Sequence, residues 1–529
     1  MRRERRELQT DSANMKRHFP TSQIFLLIVL SAVASAQIST GCQHLCFRVT
    51  LSSELGNEAA EGRLIILLSN QREPAKVLEP EFGDHDYKVR IAAAEVSHLV
   101  PGSSVEVDPD VLAYPEPLSR TIAGDYQVMA VLDVNHHYAY NNLESGDLRS
   151  AVISLKHFDP ASPQVIDLTL NERFHDQPSK LSASMAQLDF VSPSLSDFSG
   201  RPVHIRGIIV LPPGYAKNKA HRYPTVYWSH GFTGPFHYIQ LMAANYSKGM
   251  SEGKLPEMIY VMLDQECPGG THEFADSANN GPWGKALTKE LIPYLEHKYR
   301  MDSKPSGRLL TGHSSGGWAA LWLQVTYPTL FGGTWPTAPD PADFRNFTGP
   351  NLLKDKNFYH KPDGTKWMLV RSNGKDVFSL EEASRMERVL GDYGGQISSF
   401  EWVFSPRGPD GRPQQLFDRD TGDIHPEIAQ AWEKYDIATI LRTQAAKLRP
   451  LLQDKIHLSV GTADTFHLDE AALLLEEDLK ELGIHAQINF LPGKDHADLY
   501  EGGLREQIAK EMEDVARPPR SKARQAKPH

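Results

Sequence analysis

Along the chain the apolar positions change rhythm twice. From about residue 43 to 170 they come as short runs with no 3.6-residue period. Cys46–Leu51, Arg63–Leu68, Tyr87–Ile91, Tyr126–Leu132 and Val165–Leu170 are each bounded by Gly, Pro, Asn or Asp. Regular short strands with turn chemistry between them predict an all-β sandwich domain over 43–170. It serves as a spacer or wall, or as a binding module. From about 185 the pattern alternates. Leu188–Ser192 and Val203–Leu211 read as strands joined by a turn over Ser196–Gly200, followed by strands at Tyr223–Ser229 and Met258–Leu263 and a helix from about Trp283 to Arg300. Strands alternating with helices predict an α/β fold, a doubly wound and mostly parallel sheet, over 185–505. A long stretch, 341–455, is inserted in it.

Inside that stretch lies an internal echo. Trp367–Val370 leads through Asp376 to Phe378-Ser379-Leu380, and His457–Val460 leads through Asp464 to Phe466-His467-Leu468. Two similar β-α-β units in one sheet are the expectation. Phe417–Asp423 has the flavour of a calcium loop but lacks the downstream bidentate Glu, and reads as a plain turn.

The ends read differently. Arg2, Arg3, Arg5, Arg6, Lys16 and Arg17 precede an apolar run from Ile24 to Val33 that closes on Ala34-Ser35-Ala36. This is the pattern of a cleaved secretory signal peptide over 1–36, with Met15 as a more typical start; an uncleaved anchor is the alternative. It predicts a secreted or periplasmic protein with no stable membrane span after cleavage. Export permits a Cys42–Cys46 disulfide and leaves Cys267 free. Residues 517–529 are basic and without apolar period, a disordered tail. A net charge of −11 on 529 residues argues against a nucleic-acid partner.

The chemistry centres on Gly312-His313-Ser314-Ser315-Gly316, between an apolar strand and a helix-forming stretch. A serine on a sharp strand-to-helix turn is a nucleophile elbow. Its hydroxyl needs a base and a group to orient that base. His496 follows the last strand, Ala486–Leu491, where the base belongs, and is chosen from 22 histidines for that position. The acid is Asp464, with Asp376 as the alternative from the matching unit. The backbone of Ser315 supplies one oxyanion donor; that of Phe232, in the loop after the Tyr223–Ser229 strand, supplies the other, unless His230–Gly234 is an ordinary turn. Trp318, Trp335 and Phe274 are expected to supply apolar walls.

Tyr223-Pro224, Ser229-His230-Gly231, Gly312–Gly317, Pro328-x-Leu330-Phe331 and Val460-Gly461-x-x-Asp464-x-Phe466 resemble the putative-esterase family of α/β-hydrolases, which includes enterochelin esterase, esterase D, feruloyl esterases and mycolyltransferases. The resemblance covers about 185–505. It implies serine ester hydrolysis or acyl transfer with no cofactor and no metal, on a small-molecule or polymer-borne ester, and it supports Ser314, Asp464 and His496 by position. An acyltransferase, a binding protein with an inactive hydrolase domain and a peptidase are the rival readings.

Overall fold

The computed structural model describes residues 44–518, apart from 72–74, 76–77, 81–82, 84–85, 135, 137–142, 144, 176–179 and 392–394. The leader over 1–36, Cys42, and the tail from 519 lie outside the described residues. Cys46 is disulfide-bonded and Cys267 is a free thiol.

Nine strands make one N-terminal sheet: β1 Leu45–Leu51, β2 Ala60–Ser69, β3 Val89–Leu99, β4 Ser104–Val107, β5 Ala113–Tyr114, β6 Gly124–Asp133, β7 Leu148–Ser150, β8 Ile153–Phe158 and β9 Gln164–Arg173. The order is β4-β1-β9-β7-β6-β2-β3-β5, with β8 also on β6. Only β1 and β9 run parallel; the rest pair antiparallel. Phe47 and Val49 share one buried core with Leu64, Ile66, Val128, Ala130 and Leu168. The alternate residues of β2, Ile65 and Leu67, are buried in the core of the rest of the chain. Burial on both faces explains why Leu64–Leu68 does not alternate.

The second sheet has eight strands: β10 Met185–Val191, β11 His204–Val210, β12 Thr225–Ser229, β13 Ile259–Leu263, β14 Arg308–His313, β15 Gly333–Thr337, β18 His457–Gly461 and β19 Gln487–Leu491; a hairpin of β16 Met368–Ser372 and β17 Lys375–Ser379 lies apart. Its order is β10-β11-β13-β12-β14-β15-β18-β19. β10 and β11 are antiparallel to their neighbours, and every pair from β13 to β19 is parallel. The parallel strands end at one edge, where loops gather. The helices used below are α1 Phe236–Ser251, α2 Ser315–Thr326, α3 Leu380–Leu390, α4 Gln396–Phe404, α5 Leu468–Glu481 and α6 Leu504–Ala516. Ser315 to Val325 in α2 are all buried, because the helix has the sheet beneath it and Phe404 and Tyr435 of the inserted stretch above.

Three expectations need correction. The polar turn between β10 and β11 is a helix, Pro193–Ser199, capped by the Ser192 hydroxyl and ended by Gly200 at φ 69°. The echo is not two β-α-β units in one sheet, because β16 returns on itself as β17. Asn373 (φ 51°) and Gly374 (φ 73°) carry the positive φ pair of a type I′ hairpin turn, an Asn-Gly signal that overrode the apparent β-α-β pattern. Arg517 is tied to His221 and to the Arg222 carbonyl at the end of α6.

Candidate active site

Ser314 sits between β14 and α2 at φ 56°, ψ −125°, a conformation a non-glycine residue holds only when its surroundings impose it. The surroundings are close. Its N–H donates to Thr337 O at 3.0 Å, and its carbonyl accepts from the N–H of Asp340 at 3.3 Å. Gly316 makes the approach of the next loop possible: a Cβ there would lie 2.3 Å from Ser229 O and 2.4 Å from His230 O. Gly231 faces the nucleophile, its own Cβ position 3.1 Å from Ser314 Cβ. The His230 ring braces this loop from beneath, with Nδ1 2.7 Å from Gly231 O and Nε2 accepting from the N–H of Gln265 at 3.0 Å. The loop carrying Phe232 and the start of α2 carrying Ser315 therefore adjoin Ser314. The first N–H groups of a helix have no partner within it.

His496, after β19, has Nδ1 2.8 Å from Asp464 Oδ2, after β18. With Nδ1 donating, the ring's base is Nε2. Asp464 is fully buried, and its Oδ1 accepts from the N–H groups of Phe466 (3.0 Å) and Leu468 (3.3 Å). Burial pushes this carboxyl up, but the bond to His496 and those backbone donors outweigh it and leave it below its ordinary value. The His496 ring packs 4.4 Å, centroid to centroid, from His313 and 4.8 Å from Phe466. Half-buried His313 is driven down to about 3, chiefly by desolvation, and stays neutral beside it. Asp464 and His496 thus pair at the carboxyl edge of the sheet, against His313, the residue before Ser314. Asp376 does not: it is half exposed on the hairpin, 3.3 Å from His467.

The hairpin acts on the site through another residue. Arg371 of β16 donates from Nε to Asp464 O at 2.7 Å and pairs with Asp469 at 2.5 Å, clamping the acid's loop.

A second carboxyl stands at the nucleophile. Among the described residues, the Ser314 hydroxyl donates to Asp340 Oδ1 at 3.4 Å and not to His496. Ser315 Oγ donates to Asp340 Oδ2 at 2.6 Å and Gln396 Nε2 to the same oxygen at 3.3 Å. Asp340 is 3% exposed; burial lifts it to about 6, against the pull of Ser315, His496 and Ser314. No motif in the sequence pointed to Asp340. A charged residue between two prolines, just past the strand next to the nucleophile's, was the available signal, since ligand groups collect at that edge.

Beside Asp340 lies a cavity with about 30 Å³ open to water centres, room for one or two waters. Its walls include Phe347, Phe358, Leu369, Leu380 and Phe400, all from 341–455, with Phe466. Trp318, Trp335 and Phe274 do not line it. Trp318 stacks on Trp322 in the core, Trp335 stacks on His457 and bonds to Glu511, and Phe274 packs edge-on to His272. The Phe417–Asp423 stretch is a turn in which Asp418 accepts from the N–H groups of Asp420 and Thr421. No helix among the described residues is long and apolar enough to cross a membrane.

The chain is 25% identical over 138 residues to the uncharacterized protein YbbA of Bacillus subtilis (strain 168), a match taking in 24% of this chain and 53% of that protein. It therefore spans about half the length of this curated relative. Among solved structures it is similar to an S-formylglutathione hydrolase from Agrobacterium tumefaciens (14% identity, 64% of this chain and 98% of the other, TM-score 0.41). It is also similar to a ferulic acid esterase (13%, 63% and 98%, TM-score 0.38). The family model described as "Putative esterase" matches residues 200–504, more than half of the chain. The chain belongs to this putative-esterase family.

Proposed function

We propose that the protein is an exported esterase working through an acyl-enzyme on Ser314. The observation that carries this reading is the His496–Asp464 pair standing against an elbow whose serine is held at positive φ. The Ser314 hydroxyl turns from Asp340 toward His496 when an ester binds; such catalytic hydrogen bonds often form only in the substrate complex. His496 takes the proton as Oγ attacks the carbonyl carbon. Asp464 holds the ring's tautomer and stabilises the imidazolium. The backbone N–H groups of Phe232 and Ser315 receive the oxyanion. The imidazolium then gives its proton to the leaving alcohol, and water repeats the sequence to release the acid.

In this reading 43–170 is a β-sandwich domain, 185–505 the catalytic domain with 341–455 inserted over its active site, and 517–529 a tail. The basic, apolar and Ala-x-Ala succession over 1–36 supports export of the mature chain to a secreted or periplasmic location.

Hydrolysis of p-nitrophenyl acetate tests the assignment. Ser314→Ala abolishes turnover, and Asp464→Asn lowers kcat by on the order of 10³–10⁴, while Asp376→Asn leaves it unchanged. Full activity in Ser314→Ala overturns the nucleophile, and equal losses in the two Asp variants overturn the acid.

A further inference from the structure

Two walls of the cavity beside Asp340 adjoin the catalytic residues. Asp340 Oδ1 is 3.4 Å from Ser314 Oγ, and the Phe466 ring is 4.8 Å, centroid to centroid, from the His496 ring. The polar groups of the lining are bonded within the protein. Asp340 accepts from Ser314, Ser315 and Gln396, and keeps the last two when the Ser314 hydroxyl turns to His496. Thr348 Oγ1 donates to Phe347 O at 2.6 Å. Glu387 accepts from the N–H groups of Ile397 at 3.1 Å and Ser398 at 3.4 Å. An apolar group entering the cavity therefore strips no polar wall of its partner. The remaining walls are Phe, Leu, Ile and Pro side chains, and other rings back them. Phe400 packs 5.2 Å from Phe347 and 5.9 Å from Phe404, Phe347 lies 5.7 Å from Trp432, and Phe358 stacks 4.3 Å from Phe417. A close-packed second layer resists outward movement of the first, so the cavity keeps its small size.

We propose that this cavity is the acyl pocket and restricts the protein to esters of short unbranched acids, acetyl or propionyl, with Phe347, Ile397 and Phe400 of the inserted stretch setting the limit. The proposal rests on Ser314 as the nucleophile. A carbonyl carbon bonded to Ser314 Oγ carries its α-carbon two bonds from that oxygen and the next carbon three, which spans the 3.4 Å to the wall formed by Asp340. A methyl group and a water are of similar size, so space for one or two waters holds one or two carbons beyond the carbonyl. A third carbon meets the rings, and overfilling a packed interior is unfavourable. The limit falls on the acid of the ester and not on its alcohol.

The test measures kcat/KM of the full-length protein on the p-nitrophenyl esters of acetic, propionic, butyric and hexanoic acids. Each value is divided by the ester's own hydroxide-catalysed rate to remove intrinsic reactivity. A fall of roughly tenfold or more is expected from propionate to hexanoate, the discrimination a closed apolar pocket exerts on chain length. Phe400→Leu and Ile397→Ala each remove wall atoms without adding a polar group, and at least one should raise the hexanoate-to-acetate ratio by roughly tenfold. The ratio is read within each variant, so a general loss of activity cancels. A parallel series of methyl, butyl and hexyl acetates varies the alcohol and should show neither the fall nor a change in the variants. Hexanoate turned over as well as acetate by the wild type, a ratio unmoved in both variants, or variant effects confined to the alcohol series overturns the pocket while Ser314-dependent turnover of p-nitrophenyl acetate stands. If neither variant folds, the wild type decides by whether its fall with length appears in the acid series alone. Absence of Ser314-dependent turnover of every ester overturns the nucleophile, and the pocket with it.

Discussion

Asp340 shows how one side chain can be placed for chemistry at a cost in stability. Its carboxyl is held up at about 6, mainly by burial, against an ordinary value near 3.8. A raised acid binds its proton more tightly folded than unfolded. The folded chain is therefore favoured below about pH 4 and loses that advantage as the pH rises to about 6, by on the order of 2–3 kcal/mol. Asp340→Asn removes this pH-dependent part. Urea unfolding at pH 4.5 and 7 should show the variant gaining on the wild type at the higher pH; a gap independent of pH contradicts the assignment. At this scale Ser314, Asp464 and His496 were legible because each follows a strand in the chain order of a serine hydrolase. Asp340 was not, because its carboxyl reaches Ser314 through the turn after β15, and no periodicity reports such a turn.

At the scale of elements, the site depends on backbones that nearly touch. α2 starts against the end of β12, with the carbonyls of Ser229 and His230 where a Cβ of residue 316 would be. Gly316→Ala pushes those backbones apart. It should cost about 2–4 kcal/mol in chemical denaturation and lower kcat by displacing the Phe232 loop; native stability with native kcat would contradict the packing. The elements of the parallel sheet were readable from continuous apolar runs such as Met258–Leu263, which only burial on both faces produces. The β16–β17 hairpin was misread because Trp367–Val370 and His457–Val460 share a pattern and differ in the turn that follows. The Asn-Gly pair carried the answer, and the resulting hairpin supplies Arg371 to the acid's loop instead of a second acid.

Across the whole molecule, the β-sheet over 45–173 is tied to α3 of the inserted stretch. Buried Arg63 of β2 donates to the carbonyls of Val389 (3.1 Å) and Arg388 (2.7 Å) at the end of α3, and Tyr87 bonds to Glu382 of the same helix. Leu380 of α3 lines the cavity beside Asp340. Arg63→Ala leaves two helix-terminal carbonyls without a donor and should lower stability by about 1–3 kcal/mol in a thermal or urea melt; an unchanged melt contradicts this tie. None of it was readable beforehand, since the partners are more than 290 residues apart and share no motif. The central claim is of the same long range: an imidazole at 496 makes the hydroxyl at 314 reactive. Fluorophosphonate labelling of the full-length protein, with the modified peptide mapped by mass spectrometry, tests it most directly. One label is expected, on Ser314, lost in His496→Ala; a label on another residue, or undiminished labelling of Ser314 in that variant, would overturn the claim.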